Sequence, residues 1–170
     1  NTFENNLGAS SYGLLLKEIY DSKIHYNKFV NNTVGIYAET ATRVDIRHND
    51  FDDNGWALKM LGSCRNSEIV NNNFIANTFD LMTNTQKNYN TYKNNYWSKY
   101  TGYDLDKDGY GDVPYRPVKL FSYVSSKSKE SLVLLRSLFV KIINFAEKVT
   151  PVFTPTTLKD DQPLMEPVKW

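Results

Sequence analysis

Asn49-Asp50-Phe51-Asp52-Asp53-Asn54 decides the fold, because it is not alone. The same phrase (Asn, any residue, Phe, two residues, Asn) stands at Asn1-Thr2-Phe3 with Asn6, at Asn27-Lys28-Phe29 with Asn32, and at Asn72-Asn73-Phe74 with Asn77. Asn94-Asn95-Tyr96 is a fifth copy with a different ring. The leading asparagines lie 26, 22, 23 and 22 residues apart. A period of that size marks a repeat architecture, and single residues must be read within it.

Each repeat carries further apolar landmarks. Ile24, Ile46 and Ile69 precede Asn27, Asn49 and Asn72 by three residues, while Leu14, Ile36, Leu58 and Leu81 form a second register. Gly13, Gly35 and Gly55 lie shortly before the first three of these. One repeat therefore offers three short apolar–polar alternations broken by Asn, Gly, Asp and Thr, the pattern of strands between tight turns. Three strands in so few residues exclude crossover helices, and exclude a propeller blade of roughly 40–45 residues. The Leu-x-Leu and helical half of a leucine-rich repeat are missing. What remains is an all-β chain, a right-handed parallel β-helix with coils of about 22 residues stacked about 4.8 Å apart. This predicts an internal stack of Phe3, Phe29, Phe51 and Phe74, a stack of Ile24, Ile46 and Ile69, and a ladder of Asn27, Asn49 and Asn72 at a bend. Side-chain amides can satisfy one another there, and Asn tolerates a left-handed backbone. The longer first spacing predicts a loop at Leu7–Ser11.

The length, 170 residues, suits one domain, and a net charge of +1 gives nothing that favours nucleic acid. The lone Cys64 excludes an internal disulfide framework; it reads as a buried or idle thiol, against a reactive one. Asn1 is already the first residue of the phrase, so the chain is expected to be the C-terminal piece of a longer solenoid. The organisation expected is coils over 1–98, a capping loop over 99–118, and a helix with an extended tail over 119–170.

The aromatic run Asn95-Tyr96-Trp97-Ser98-Lys99-Tyr100-Thr101-Gly102-Tyr103 suits the job of covering the open end of the ring stack. Next comes Asp104-Leu105-Asp106-Lys107-Asp108-Gly109-Tyr110-Gly111-Asp112, the opening half of an EF-hand-type calcium loop. Asp104, Asp106 and Asp108 would converge on calcium, Gly109 would make the turn, Tyr110 would offer its carbonyl, and Asp112 holds the ninth position. Tyr115 stands at the twelfth position in place of a bidentate Glu, so a weak site of roughly 10⁻⁴–10⁻³ M is expected. The alternative is a solvated acidic turn without metal.

Residues Lys127–Val149 read as a helix, with Ser125, Ser126 and Ser128 to cap it, Glu130 in its first turn and Pro151 beyond. Ser137, Lys141, Asn144 and Lys148 make a polar stripe. Leu132, Leu135, Leu138, Phe139, Ile142, Ile143 and Phe145, with Ala146 and Val149, make a broad apolar side. Arg136 and Lys141 interrupt it too often for a membrane span. The apolar side either packs along the solenoid flank or docks a partner at a membrane boundary. The tail after it, with Pro151, Pro155, Pro163 and Pro167, reads as an extended strap with Trp170 as an anchor.

The Asn-x-Phe solenoid followed, in order, by the junction from Asn95 to Tyr115 resembles the NosD family of accessory proteins for maturation of nitrous oxide reductase. The resemblance implies a periplasmic, membrane-associated protein on an ABC transporter, with a NosY-like membrane subunit and a NosF-like ATPase. It implies service to the copper–sulfide centre of the reductase, with the reductase itself or a copper chaperone as further partners, and docking through the C-terminal segment. Copper invites soft ligands, but His25, His48, Met60, Cys64, Met82 and Met165 do not line up in the repeat. The alternative is a carbohydrate-binding or polysaccharide-cleaving β-helix, which would need paired carboxylates on one outward face. Asp45, Asp50, Asp52 and Asp53 sit near Arg43 and Arg47, but they occur in one coil only, as an isolated acidic turn. A bare structural or adhesin solenoid is a third reading. The maturation factor expected here is not an enzyme.

Overall fold

Short strands form here because each apolar–polar alternation ends at a corner after two to six residues. The computed structural model describes residues 1–121, 137–149 and 157–170. Its strands are β1 (Thr2–Glu4), β2 (Leu14–Lys17), β3 (Lys23–His25), β4 (Lys28–Val30), β5 (Val34–Glu39), β6 (Asp45–Arg47), β7 (Asp50–Asp52), β8 (Trp56–Met60), β9 (Glu68–Val70), β10 (Asn73–Ile75), β11 (Phe79–Met82), β12 (Thr91–Lys93) and β13 (Tyr96–Trp97); a helix, α1, spans Leu138–Val149. Every strand pairs in parallel with its equivalent one coil away. Three sheets result: β1-β4-β7-β10-β13, β2-β5-β8-β11 and β3-β6-β9-β12. The chain is a parallel β-solenoid, as the period requires.

Register places like residues on like. Phe29 lies opposite Phe3 and Phe51, Ile46 opposite Ile24 and Ile69, and Leu58 opposite Ile36 and Leu81. The rings of Phe3, Phe29, Phe51 and Phe74 stack at 5.0, 5.0 and 4.9 Å, close to the spacing of paired strands. Trp97 continues the column at 4.2 Å, and Tyr115 closes it at 5.3 Å with a tilted ring.

Two asparagine ladders run beside the rings. In one, the side-chain amides of Asn1, Asn27, Asn49 and Asn72 each donate to the Oδ1 of the next, ending at Asn95. In the other, Asn6, Asn32 and Asn54 do the same, ending at Asn77. The left-handed residue differs from the expectation. It is the one before each ladder Asn: Tyr26, His48, Asn71 and Asn94 in the first ladder, and Asn5, Asn31, Asp53 and Ala76 in the second. In the first ladder the Asn amide also donates to the carbonyl two residues back, as Asn49 does to Arg47 and Asn72 to Val70. The same bond from Asn27 to His25 closes the corner around Tyr26, a type that rarely chooses φ > 0, whereas His48 and the asparagines adopt it more readily. The extra residues of the first spacing loop out as expected: Leu7 is exposed, and Ser11 Oγ donates back to the Leu7 carbonyl.

The last coil is assembled from two segments. Val118 bridges Leu81 in parallel, whereas Asp160 bridges Tyr92 and Leu164 bridges Tyr96. The stretch between Val118 and Asp160 contains α1. Val140 is buried in a small cluster with Phe79 and Phe121, and the Phe121 N–H donates to Asn144 Oδ1 at 3.2 Å. Asn144, read as part of a polar stripe, thus faces the solenoid. The Val140 N–H donates to Ser137 Oγ at the start of the described helix. The remainder of the helix read from the sequence, with Leu132, Leu135, Glu130 and the serine caps, lies outside the described residues.

Candidate functional site

The lower end of the solenoid concentrates the chemistry. A stack of identical coils leaves unpaired amides and an open ring at its end, and these must be met by something outside the repeat. Asp160, fully buried, meets the first ladder. Its Oδ2 accepts from the Asn95 N–H at 2.9 Å, the Asn95 side-chain amide at 3.2 Å and the Trp97 indole N–H at 3.0 Å. Its Oδ1 accepts from the N–H groups of Asn94 and Gln162. A carboxylate is acceptor-only, which is what a ladder ending in donors requires. Lys99 meets the second ladder: its ammonium donates to the carbonyls of Asn77 and Thr78 and lies 3.5 Å from buried Asp80. The Tyr115 hydroxyl donates to Asp80 at 3.2 Å. Burial pushes the Asp80 carboxyl above its ordinary range, opposed by Lys99 and Tyr115.

The acidic loop hangs from this end. The Asp104 carboxylate accepts from the backbone N–H groups of Lys107 at 2.6 Å, Asp108 at 3.3 Å and Gly109 at 2.9 Å. Asp108 Oδ1 accepts from the Tyr110 N–H, and Asp112 Oδ2 from the Leu105 N–H. The curl rests on left-handed Lys107 and Gly109. Asp104, Asp106 and Asp108 each bring a carboxylate oxygen within 4.8 Å of the others. Desolvation works against charge on Asp104, but its backbone donors prevail and hold it below the ordinary carboxylate range. Asp106 is raised, by desolvation and then by the neighbouring charge of Asp108. Tyr115, at the twelfth position, points instead into the ring column.

On α1, Leu138, Phe139, Ile142 and Phe145 are 72%, 60%, 56% and 68% exposed, while Ile143 is half-buried against the flank cluster. Four large apolar side chains therefore face outward on one helix, and Val140 and Ile143 face the solenoid.

The soft-ligand candidates are taken up in other roles. Met60 and Cys64 are core residues. Cys64 Sγ donates to the Ala38 carbonyl, and burial pushes its thiol up, away from the thiolate a metal needs. His25 lies 3.0 Å from Asp45. His48 stacks on Tyr26 at 5.0 Å and meets the edge of Trp170 at 5.6 Å. Met82 is buried and Met165 half-buried in the tail. Part of the acidic patch is engaged in pairing: Asp45 in the same strand and Glu68 one coil on hold Arg47, and Asp50 accepts from Asn73 and lies 4.0 Å from Lys28. An open groove of about 420 Å³ runs between this sheet and the tail, lined by Lys28, Asp50, Asp52, Asn73, Val168 and Trp170 among others.

A family model described as "Periplasmic copper-binding protein (NosD)" matches residues 1–102. The chain belongs to the NosD family. Two curated relatives, both called "Probable ABC transporter binding protein NosD", are similar to it. One, from Pseudomonas aeruginosa PAO1, is 27% identical over 123 residues; the other, from Stutzerimonas stutzeri, is 24% identical over 124. Each match takes in 71% of this chain, and 29% and 28% of the two relatives, so this NosD-family chain spans under a third of their length. The family match ends two residues before Asp104, so it rests on the coils and their first aromatic cap.

Sequence reading of this NosD-family chain missed Asp160, Lys99 and the Asn73 clamp on the tail, in which the Asn73 amide bonds both the N–H and the carbonyl of Val168. None of the three repeats, so periodicity could not find them. The one available signal was the placing of Asp160 between Leu158 and Leu164 in a proline-bearing tail.

Proposed function

We propose that this chain is the docking end of a periplasmic accessory protein of an ABC transporter, and that α1 is the element that meets the transporter's membrane subunit. The observation that carries the reading is the outward row of Leu138, Phe139, Ile142 and Phe145. A solenoid buries its apolar residues inside its own coils, so an exposed apolar helix face of this kind calls for a partner. The relatives' name, ABC transporter binding protein, supports a transporter partner, and the family's description supports a periplasmic place. No helix among the described residues is long and apolar enough to cross a membrane. The partners proposed are a NosY-like membrane subunit with its NosF-like ATPase, serving maturation of the copper–sulfide centre of nitrous oxide reductase. The reading gives this segment a docking role, non-catalytic, and assigns it no copper ligands.

The deciding experiment is co-purification of the full-length protein with the membrane subunit. Leu138→Asp, Ile142→Asp and Phe145→Asp together should lower recovery at least about tenfold while leaving the β-sheet circular dichroism unchanged. Undiminished recovery rejects the docking role.

We further propose that the acidic loop takes calcium through Asp104, Asp106, Asp108, the Tyr110 carbonyl and Asp112. Three clustered carboxylates repel one another without a cation, which supports the reading. Calorimetry with millimolar Ca²⁺ should show binding that Asp106→Asn with Asp108→Asn abolishes; no heat from the unaltered chain removes the proposal.

A further inference from the structure

The last coil differs from the others in being two pieces of chain with α1 between them. Val118 supplies one rung; Asp160 and Leu164 supply the others. In topology the helix is an insertion within a coil, tied to the solenoid at both ends. Its own grip, among the helix residues whose side chains are described, is three residues: buried Val140, half-buried Ile143 in the same cluster, and Asn144, which accepts from the Phe121 N–H. A free helix of this length is marginal in water. The tail, by contrast, is held densely. Leu158 is in the main core. Asp160 takes the donors at the ladder's end. The Gly111 N–H donates to the Pro163 carbonyl, the Leu164 N–H to Asn95, and the Met165 N–H to Gly109. The Asn73 amide then grips both polar groups of Val168, 95 residues away in sequence.

We infer that residues 157–170 are a latch that fixes the presentation of α1: closed, it holds the helix on the flank with its apolar row outward, and opened, it frees the C-terminal end of the helix to reorient. The inference rests on α1 being the docking element. The latch is graded. Trp170, 45% exposed, and the half-buried Val168 clip are its outer parts, and fully buried Asp160 is its pin. Opening therefore runs from the chain end inward, and the pin gives last. A partner that seizes the tail would act on the helix without touching it.

Hydrogen exchange of the full chain, with no partner present, tests this. Asp160→Ala should speed exchange across 138–149 at least about tenfold, with β5 and β6 unchanged. The double variant Asn73→Ala, Trp170→Ala removes the outer clip, together with the Asn73–Asp50 bond and the Trp170–His48 contact beside it, and leaves the ladders and Asp160 intact. It should free residues 166–170 and speed the helix about threefold. A freed tail beside an unchanged helix, in either variant, overturns the latch. Failure of the docking reading shows separately, as co-purification that is indifferent to the α1 substitutions.

Discussion

Asp160→Ala is the sharpest test of how the solenoid ends. The substitution removes an acceptor from five donors: the N–H groups of Asn94, Asn95 and Gln162, the Asn95 amide and the Trp97 indole. Their fates differ. The Asn95 amide keeps the Ile69 carbonyl at 2.8 Å, and the Asn94 and Gln162 groups are only partly buried, so water can reach them. The Asn95 N–H and the Trp97 indole N–H belong to residues 0% and 1% exposed and lose their acceptor. Each orphaned buried donor costs about 1–3 kcal/mol, so the alanine variant should lose about 2–6 kcal/mol. Asp160→Asn separates acceptor from charge. Its carbonyl can take the Oδ2 place and satisfy the three donors there, leaving its NH₂ against the two partly buried ones, for a loss of about 1–2 kcal/mol. Urea unfolding followed by circular dichroism and by tryptophan emission reads both. The tryptophan transition should move first, because Trp97 sits on the pin. An alanine variant that loses less than about 1 kcal/mol, or an asparagine variant that loses as much as alanine, refutes the reasoning.

The ring column gives a graded series. Phe51→Ala, buried between two stacked rings, should cost about 3–5 kcal/mol, and Phe3→Ala, stacked on one side and partly exposed, less than half as much; equal losses in thermal unfolding contradict the stack. At Gly35 an added Cβ would lie 2.5 Å from the Ala57 carbonyl oxygen of the next coil, so Gly35→Ala should cost about 1–3 kcal/mol. Gly109→Ala meets nothing within 4 Å and bears only the strain of φ 88°, about 1 kcal/mol confined to the acidic loop. Asp80 gives a pH signature. Its folded pKa is raised by burial, so its contribution is full below the unfolded value near 3.8 and is lost as pH rises through the folded value. The melting temperature of the natural chain relative to Asp80→Asn should therefore fall as pH rises from about 4; a relative rise contradicts the assignment.

What the sequence alone determined about this protein is everything that repeats. A residue such as Phe51 or Asn49 contacts its own equivalent one period away, so recurrence of type at fixed spacing encodes both the contact and the register. That is why coil length, ring column, asparagine ladder and the loop at Leu7–Ser11 were legible. The apolar row of α1 was legible too, since helical periodicity displays a face, though not which way that face turns; Asn144 was assigned outward and lies inward because only packing against Phe121 settles it. The end of the solenoid was decided by tertiary structure. Asp160 meets Asn95 across 65 residues and Val168 meets Asn73 across 95, with no period to announce either. An end occurs once, so its partners leave no repeating trace, and only the closed fold shows that a single carboxylate far down the chain finishes a ladder begun at Asn1.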